Sequence, residues 1–217
     1  PIIEQDKDGK TTVSHPTKGT PQGGVISPLL SNLFLHWFDK VFHGKDGPGQ
    51  TIKARLIRYA DDFIIQTRYK SSQMNEFIRR KIEDWMSLTL NMDKTRIGDS
   101  REQGSKIEFL GFQIRLAKSK PWIGGKYIRI TPNKKALQKA RDNIREMTSR
   151  RKNHIAIKQV IKRVNLFLAG WTNYFQFGNP YEAFRCIDTY VGDRLTRHLR
   201  QRSQRGFKKE EGKSWYQ

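Results

Sequence analysis

Two adjacent aspartates lie between mainly apolar runs in the stretch Arg58–Ile65, and this stretch constrains the fold more than any other. Residues 56–59 precede Asp61 and Asp62, and residues 63–65 follow them. Apolar runs on both sides of a short polar turn are typical of a β-hairpin with the acids at its turn. Fixed neighbouring carboxylates repel each other, so the pattern indicates ligands for a hard divalent cation such as Mg²⁺.

The chain carries a formal net charge of +21 and a sequence pI of about 10.3. Residues 1–132 contain 22 Lys and Arg against 14 Asp and Glu, and residues 133–217 contain 20 against 7. A solvated basic surface does not explain an excess of this size. The composition therefore predicts a polyanionic partner, with nucleic acid as the first candidate.

The length of 217 residues fits one large or two small domains. Cys186 is the single cysteine of the sequence, which excludes an internal disulfide framework and a Cys-rich zinc module. No apolar run reaches the roughly 18 residues that a membrane span needs, so we expect no membrane partner. These features predict that the protein is located in a reducing compartment, either the cytoplasm of a bacterium or the interior of an organelle.

Residues 1–131 predict an α+β subdomain. The chain begins with a polar hairpin or loop, and Ser27 followed by Pro28 starts an apolar pattern of three- and four-residue steps that is typical of an amphipathic helix. The predicted elements are a helix at 27–42, the acidic hairpin at 56–67, a helix at 72–88 and strands at 107–116 and 127–130. The aromatic and Met positions of the second helix, among them Met74, Trp85 and Met86, are predicted to lie in the core. The order of the predicted elements indicates an antiparallel sheet with helices on one face.

The character of the sequence changes at Thr131–Pro132, where we place a domain boundary. Apolar spacing predicts helices over 136–147, 157–168 and 184–199, and a connection containing Gly170–Phe175 joins the last two. The result is an all-α, three-helix domain at residues 132–200, followed by a basic tail at 201–217.

Basic side chains of the predicted bundle are candidates for contacts with RNA phosphates, which release counterions and make binding depend on salt. They are Lys134, Lys135, Lys139, Arg141, Arg150, Arg151, Lys152, Lys158, Lys162 and Arg163. Trp171, Tyr174 and Phe175 either stack on bases or close a small core. Aromatic residues at a helix junction favour the core.

Four motifs together resemble those of the group II intron-encoded reverse transcriptase and maturase family. Gly19–Leu30, Arg58–Asp62 and Phe109–Phe112 are similar to its consecutive reverse-transcriptase motifs in order and spacing. Gly170–Phe175, inside a basic helical segment, resembles its maturase or thumb domain. The resemblance covers roughly residues 10–200, and it implies an incomplete reverse-transcriptase-like palm followed by a helical thumb.

The resemblance also implies roles for particular residues. Asp61 and Asp62 match the catalytic pair that holds two Mg²⁺ ions, with Mn²⁺ as an alternative. The implied nucleotide-binding residues are Gly19, Pro21, Gln22, Gly23 and Lys94. The implied primer-binding residues are Tyr59, Ala60, Phe109, Leu110 and Gly111. The implied function is an RNA-directed DNA polymerase and splicing maturase, whose partners are intron RNA, an RNA template with a DNA primer, and a deoxynucleoside triphosphate.

The sequence departs from the family at the third catalytic Asp, which the family places on an earlier palm strand. Asp6 and Asp8 lie too close in sequence to the glycine-rich start of the Gly19–Leu30 motif to be this third Asp. We therefore expect an upstream half of the same protein to supply this residue. We also expect residues 1–217 by themselves to bind nucleic acid without polymerising.

Two other functions remain open. One is an RNA-binding maturase or splicing factor without polymerase activity, and the other is a reverse transcriptase of a retron or defence system. The intact pair of Asp61 and Asp62 favours the polymerase, because a protein that only binds RNA has no need of adjacent acids. The segment Gly170–Phe175 favours the intron family over the retron or defence type.

Overall fold

The computed structural model describes residues 2–5, 11–14, 24–69, 72–102, 104–119 and 124–202. These residues combine small antiparallel sheets with helices, so the chain is α+β as predicted. The chain divides into two compact units, Pro1–Ile97 and Gly98–Gln217. No helix in this described part combines the length and the apolar character that crossing a membrane requires.

The strands, in chain order, are β1 (Ile2–Gln5), β2 (Thr11–Ser14), β3 (Arg55–Tyr59), β4 (Asp62–Gln66), β5 (Ile107–Phe109), β6 (Phe112–Lys118) and β7 (Lys126–Pro132). The helices are α1 (Ser27–His43), α2 (Pro48–Thr51), α3 (Ser72–Arg79), α4 (Lys134–Met147), α5 (Ile157–Phe175) and α6 (Tyr181–Arg202). A π-helical turn (Arg80–Trp85) follows α3, and a 3₁₀ turn (Arg150–Lys152) follows α4.

The strands form three separate sheets, which pair β1 with β2, β3 with β4, and β5 with β6 and β7. The predicted hairpins at the start of the chain and around the acids are confirmed. The prediction of one antiparallel sheet with helices on one face is wrong for the residues described. Each strand pairs with its neighbour in sequence, because an antiparallel hairpin needs no more than a short turn.

Helix α1 begins at Ser27, as predicted, and its C-terminal half builds the core of the first unit. Phe38 and Phe42 are fully buried, and they pack in one cluster with Ile82. Leu33, one of the apolar residues of the first turns, is 68% exposed. The predicted amphipathic face is therefore buried over the second half of the helix.

The helix predicted at 72–88 is α3 followed by the π-helical turn. A π turn takes about one residue more than an α turn, so the side chains of this turn no longer follow the α-helical spacing from which the sequence prediction was made. Trp85, predicted to lie in the core, is 56% exposed and stacks on Trp37 with ring centroids 3.4 Å apart. Met74 and Met86 are buried, as predicted.

The continuous strand predicted at 107–116 is instead two strands, β5 and β6, joined by the turn Leu110–Gly111. Phe109 pairs with Phe112, and the two turn residues have φ angles of +50° and +80°. Positive φ at both central residues is the geometry of a two-residue hairpin loop, which usually carries Asn-Gly or Asp-Gly. Because leucine stands at the first turn position, the sequence gives no local indication of this turn.

The second unit contains the predicted bundle of three helices, and α4, α5 and α6 each contribute buried residues to one cluster. These residues are Ala140, Ile144, Val160, Val164, Ile187 and Val191. The segment Gly170–Phe175, predicted as a connection, forms the last turns of α5. Tertiary packing offsets the low helix propensity of Gly170, because Trp171 packs on Phe184 and Phe175 is 6% exposed. The core interpretation is therefore confirmed for Phe175.

The connection between α5 and α6 lies on strand β7. Gly178 has a φ angle of +82°, and the amide of Asn179 donates a 2.8 Å hydrogen bond to the carbonyl of Ile130. A Cβ atom at Gly178 would lie 2.6 Å from the Cβ of Ile130. Both the backbone conformation and the close approach therefore require glycine at this position.

We expect Gly178→Ala to lower the free energy of unfolding by about 2–5 kcal/mol, since it combines a left-handed backbone with a clash. The matched control is Gly125→Ala, because Gly125 has a φ angle of +83° and open space around it. Urea unfolding of both variants separates the cost of the left-handed backbone, which both variants share, from the cost of the clash, which only Gly178→Ala has. Equal destabilisation would contradict the contact between the connection and β7.

His198 is a fully buried titratable residue of α6. Its Nδ1 lies 3.3 Å from the carbonyl oxygen of Thr148, so Nδ1 carries the proton and donates. Nε2 is buried without a partner among the described residues. Burial lowers the pKa of His198, and the nearby Arg202 and Arg194 lower it further, against the hydrogen bond to Thr148.

Because the folded pKa is lowered, the unfolded chain binds more protons below the ordinary histidine pKa of about 6.5. We therefore expect the free energy of unfolding to fall as the pH drops through that value. His198→Gln should reduce this pH dependence, since glutamine does not titrate. His154→Gln, at an exposed position, should leave it unchanged. Urea unfolding at several pH values measures the effect, and identical pH profiles for the two variants would contradict it.

Candidate functional site

The acidic pair lies at the tip of the β3–β4 hairpin. Tyr59 pairs with Asp62, which leaves Ala60 and Asp61 as the two residues of the turn. Ala60 has a φ angle of +53°, a conformation that an L-residue adopts at a cost of about 1–2 kcal/mol. Asp61 and Asp62 are both exposed, whereas inward-facing residues of the two strands, such as Phe63, pack on the core of the first unit.

Arg58 fastens the base of this turn to helix α1. Its Nε and Nη2 donate to the carboxylate of Asp39 at 2.9 and 2.5 Å. Its Nη1 donates to the Asn32 side chain at 3.0 Å and to the carbonyl oxygen of Ala60 at 2.8 Å. One guanidinium group therefore holds the peptide that immediately precedes Asp61.

The contact between Arg58 and Asp39 has an electrostatic consequence. The hydrogen bond from Arg58 lowers the pKa of Asp39, and the hydrogen bond to Asp39 raises the pKa of Arg58. A lowered carboxyl pKa adds stability that is present above the ordinary Asp range and is lost in acid, as the pH falls through the folded pKa. Both side chains therefore stay charged at neutral pH, and Arg58 continues to link the β3–β4 turn to helix α1.

The sequence analysis assigned no role to Arg58, Asp39 or Asn32. A usable signal was present, because side chains of a strand alternate between its two faces and Arg58 follows Leu56 on the inward face of β3. A cation on an inward face needs a partner of opposite charge. Asp39, between the buried residues of α1, was the candidate.

The donor chemistry of Asp61 and Asp62 fits a magnesium site. Mg²⁺ is usually held by one or two carboxylates together with phosphate oxygens of a substrate, and both acids are exposed. No group of three or more His, Cys, Asp or Glu side chains comes together as a metal cluster within the described part of the chain. The pair therefore offers two carboxylate ligands, and water and phosphate oxygens would complete the coordination shell.

Four of the predicted nucleotide-binding residues, Gly19, Pro21, Gln22 and Gly23, lie outside the described residues. Lys94, the fifth, is exposed in a turn of the first unit. The side chain of Asn91 accepts a 3.1 Å hydrogen bond from the Lys94 amide and so fixes this turn. The nucleotide-binding role of all five residues stays a prediction.

The predicted primer-binding turn belongs to the second unit, whereas Tyr59 and Ala60 belong to the first. The carbonyl oxygen of Leu110 accepts a 2.9 Å hydrogen bond from the Tyr174 hydroxyl, and that of Gly111 accepts a 2.8 Å bond from the Asn133 amide. A Cβ atom at Gly111 would lie 3.3 Å from the Phe175 ring. Helices α4 and α5 therefore hold the turn, and its contact with a primer stays a prediction.

The predicted RNA-binding residues are distributed over the second unit. The exposed ones lie on α4, in the 3₁₀ turn and on α5: Lys134, Lys135, Lys139, Arg150, Arg151, Lys158, Lys162 and Arg163. Lys152 lies 3.8 Å from Glu146 and is half-buried, and Arg141 is half-buried between α4 and α6. Their contact with RNA stays a prediction.

Several curated proteins are similar to this chain. Protein YkfC of Escherichia coli (strain K12) is 34% identical over 110 residues, covering 37% of this chain and 29% of that protein. The group II intron-encoded protein LtrA of Lactococcus lactis subsp. cremoris is 25% identical over 160 residues, covering 46% of this chain and 26% of LtrA.

A third relative is an uncharacterized 91 kDa protein in the cob intron of Schizosaccharomyces pombe. It is 20% identical over 224 residues, covering 73% of this chain and 28% of that protein. The chain therefore spans less than a third of the length of each of these three relatives.

Two families match successive parts of the chain. The reverse transcriptase (RNA-dependent DNA polymerase) family matches residues 3–114, which is half of the sequence and includes the acidic hairpin. The group II intron maturase-specific domain matches residues 137–215, which include most of the helical bundle. The chain therefore belongs to the reverse transcriptase (RNA-dependent DNA polymerase) family and carries a maturase-specific domain of group II introns.

Proposed function

We propose that this chain is part of an RNA-directed DNA polymerase that also acts as a maturase in the splicing of a group II intron. The observation that carries the proposal is the exposed pair of Asp61 and Asp62, held by Arg58 at the tip of a hairpin inside the reverse-transcriptase match. Its substrates are a deoxynucleoside triphosphate and a primer on an RNA template.

Asp61 and Asp62 hold the divalent ions that reverse transcriptases use, which we propose to be two Mg²⁺ ions. When bound, such ions neutralise the charge that develops on the transferring phosphoryl oxygens and activate the attacking hydroxyl group. The chain's own contribution is to fix the two carboxylates. Arg58 supports this role, because it holds the carbonyl of Ala60 and is itself held by Asp39.

The helical bundle of the second unit carries the RNA-binding part of this function. Its excess of Lys and Arg over Asp and Glu supports the proposal, as does the match to the maturase-specific domain. Residues 1–131 act as the palm and residues 132–200 as the thumb. An upstream half of the same protein supplies the remaining carboxylate and completes the palm.

A second candidate function is that of an RNA-binding maturase without polymerase activity, which the match to the group II intron maturase-specific domain supports. A protein containing this chain that binds RNA and fails to extend any primer would favour this second function.

Replacing both acids, Asp61→Asn with Asp62→Asn, should reduce primer extension on an RNA template by roughly 1,000-fold or more in a protein that contains residues 1–217. Metal ions contribute several kcal/mol to such a reaction, and each 1.4 kcal/mol is tenfold in rate. RNA affinity should stay equal or rise, because two negative charges are removed. The matched control is Asp46→Asn with Asp84→Asn, at exposed positions of the first unit. Loss of RNA binding in the first variant would show that the acids are structural.

Arg58→Lys should lower the rate of primer extension by about tenfold to a hundredfold, because lysine cannot bridge Asp39 and the carbonyl of Ala60 at once. RNA affinity should not change. The matched control is Arg55→Lys, since Arg55 is an exposed residue of the same strand. Equal rates in the two variants would contradict a positioning role for Arg58.

A further inference from the structure

A groove runs between helices α4 and α6 on the surface of the second unit, with a volume of about 710 Å³. We name it the α4–α6 groove, and the lining residues used in the argument are Arg141, Arg145, Arg185, Cys186 and Tyr190. The sequence analysis predicted RNA binding for Arg141, and it predicted no groove for any of the five residues.

The groove follows from the helical repeat. Arg141 and Arg145 are four residues apart on α4 and therefore lie on one face of that helix. On α6, Arg185 and Cys186 are followed by Tyr190 after a further helical turn, so they share a face as well. The α6 residues that line the groove extend from Glu182 to Asp193, a distance of about 16 Å at the rise of an α-helix.

Two guanidinium groups of the groove, those of Arg141 and Arg185, remain available to a ligand, whereas that of Arg145 lies 3.5 Å from the carboxylate of Asp142. Nη2 of Arg141 donates to the sulfur of Cys186 at 3.0 Å, a weak acceptor that a stronger one can replace. Across the described residues, neither Arg141 nor Arg185 forms an ion pair with a carboxylate. Of the two acids that line the groove, Glu182 at one end is already paired with Arg129 at 2.5 Å, and Asp193 lies at the other end, eight residues beyond Arg185.

We propose that the α4–α6 groove binds the phosphodiester backbone of RNA, with Arg141 and Arg185 as the phosphate ligands. Guanidinium groups bind phosphate oxygens through paired hydrogen bonds, and an open groove admits a chain as well as a single ion. The half-buried ring of Tyr190 offers a neighbouring surface for a sugar or a base. The proposal rests on the RNA-binding function proposed above and assigns that binding to one surface.

Cys186 makes the proposal testable, because the single thiol of the sequence lies inside the proposed site and is exposed. RNA in the groove should shield this thiol from an alkylating reagent. The experiment treats the 217-residue chain with iodoacetamide while oligouridylate is titrated, and mass spectrometry gives the alkylation rate of Cys186. The rate should fall in proportion to the fraction of chain bound, measured separately by fluorescence anisotropy.

The reverse experiment uses chain that is first alkylated and then titrated with oligouridylate. Alkylated chain should bind about tenfold more weakly, a loss equivalent to one charge-assisted hydrogen bond. The Cys186→Ser variant should keep the same affinity with and without iodoacetamide treatment. If alkylated chain binds oligouridylate as tightly as untreated chain, or loses no more affinity than treated Cys186→Ser, the groove is not the RNA site.

Salt dependence separates a phosphate ligand from general positive charge. Arg185→Gln should weaken oligouridylate binding about tenfold and flatten the plot of log affinity against log salt by about 0.7, the value of one phosphate contact on a single strand. Arg115→Gln is the matched control, because Arg115 is an exposed residue of β6 outside the groove. Circular dichroism of both variants confirms that the helices are intact.

The outcomes distinguish this proposal from the proposed function. If the chain binds oligouridylate while Cys186 is alkylated at an unchanged rate, the groove is not the RNA site and the RNA-binding function stands. Equal losses in Arg185→Gln and Arg115→Gln would likewise overturn the groove, since net charge alone would then set the affinity. If the chain does not bind oligouridylate at all, the groove proposal is wrong, and primer extension on an RNA template separately tests the proposed function.

Discussion

The first unit depends on a single guanidinium group that donates to three acceptors: a carboxylate, a side-chain amide oxygen and a backbone carbonyl. Arg58 neutralises Asp39 on helix α1 and also donates to the carbonyl of Ala60 in the hairpin turn. Adjacent carboxylates repel each other, so Asp61 and Asp62 need a backbone that is held from behind. The ion pair provides this support, since each partner shifts the pKa of the other toward the charged state.

Sequence patterns predicted those parts of the fold that local chemistry determines. The start of α1 at Ser27 follows from a proline in its first turn, and the hairpin at 55–66 follows from apolar runs around a polar turn. The acidic pair was predicted as a site for the same reason, because all of its signal lies within a few residues. The partners of Arg58 on α1 lie 19 and 26 residues away, so alternation along β3 indicates that Arg58 needs a partner without placing Asp39 or Asn32 beside it.

The wrong predictions share one cause, which is that packing between distant segments overrides local preference. Leu110 adopts a positive φ because α4 and α5 hold the turn from both sides, and leucine gives no local sign of this. The segment Gly170–Phe175 contains glycine and aromatic residues that suggest a junction. It continues α5 because Trp171 and Phe175 are packed inside the second unit. Propensity is a weak prior when the tertiary environment supplies the larger free energy.

The two hydrogen bonds to the Leu110–Gly111 turn have a mechanical consequence. Tyr174 lies near the end of α5 and Asn133 caps the start of α4, so the turn is attached at two points to the ends of two helices. Hydrogen bonds to two different helices restrict how far the turn can move relative to either helix. When α4 and α5 are displaced together, the turn therefore moves with them. The position of the turn on the protein surface thus follows the position of the two helices.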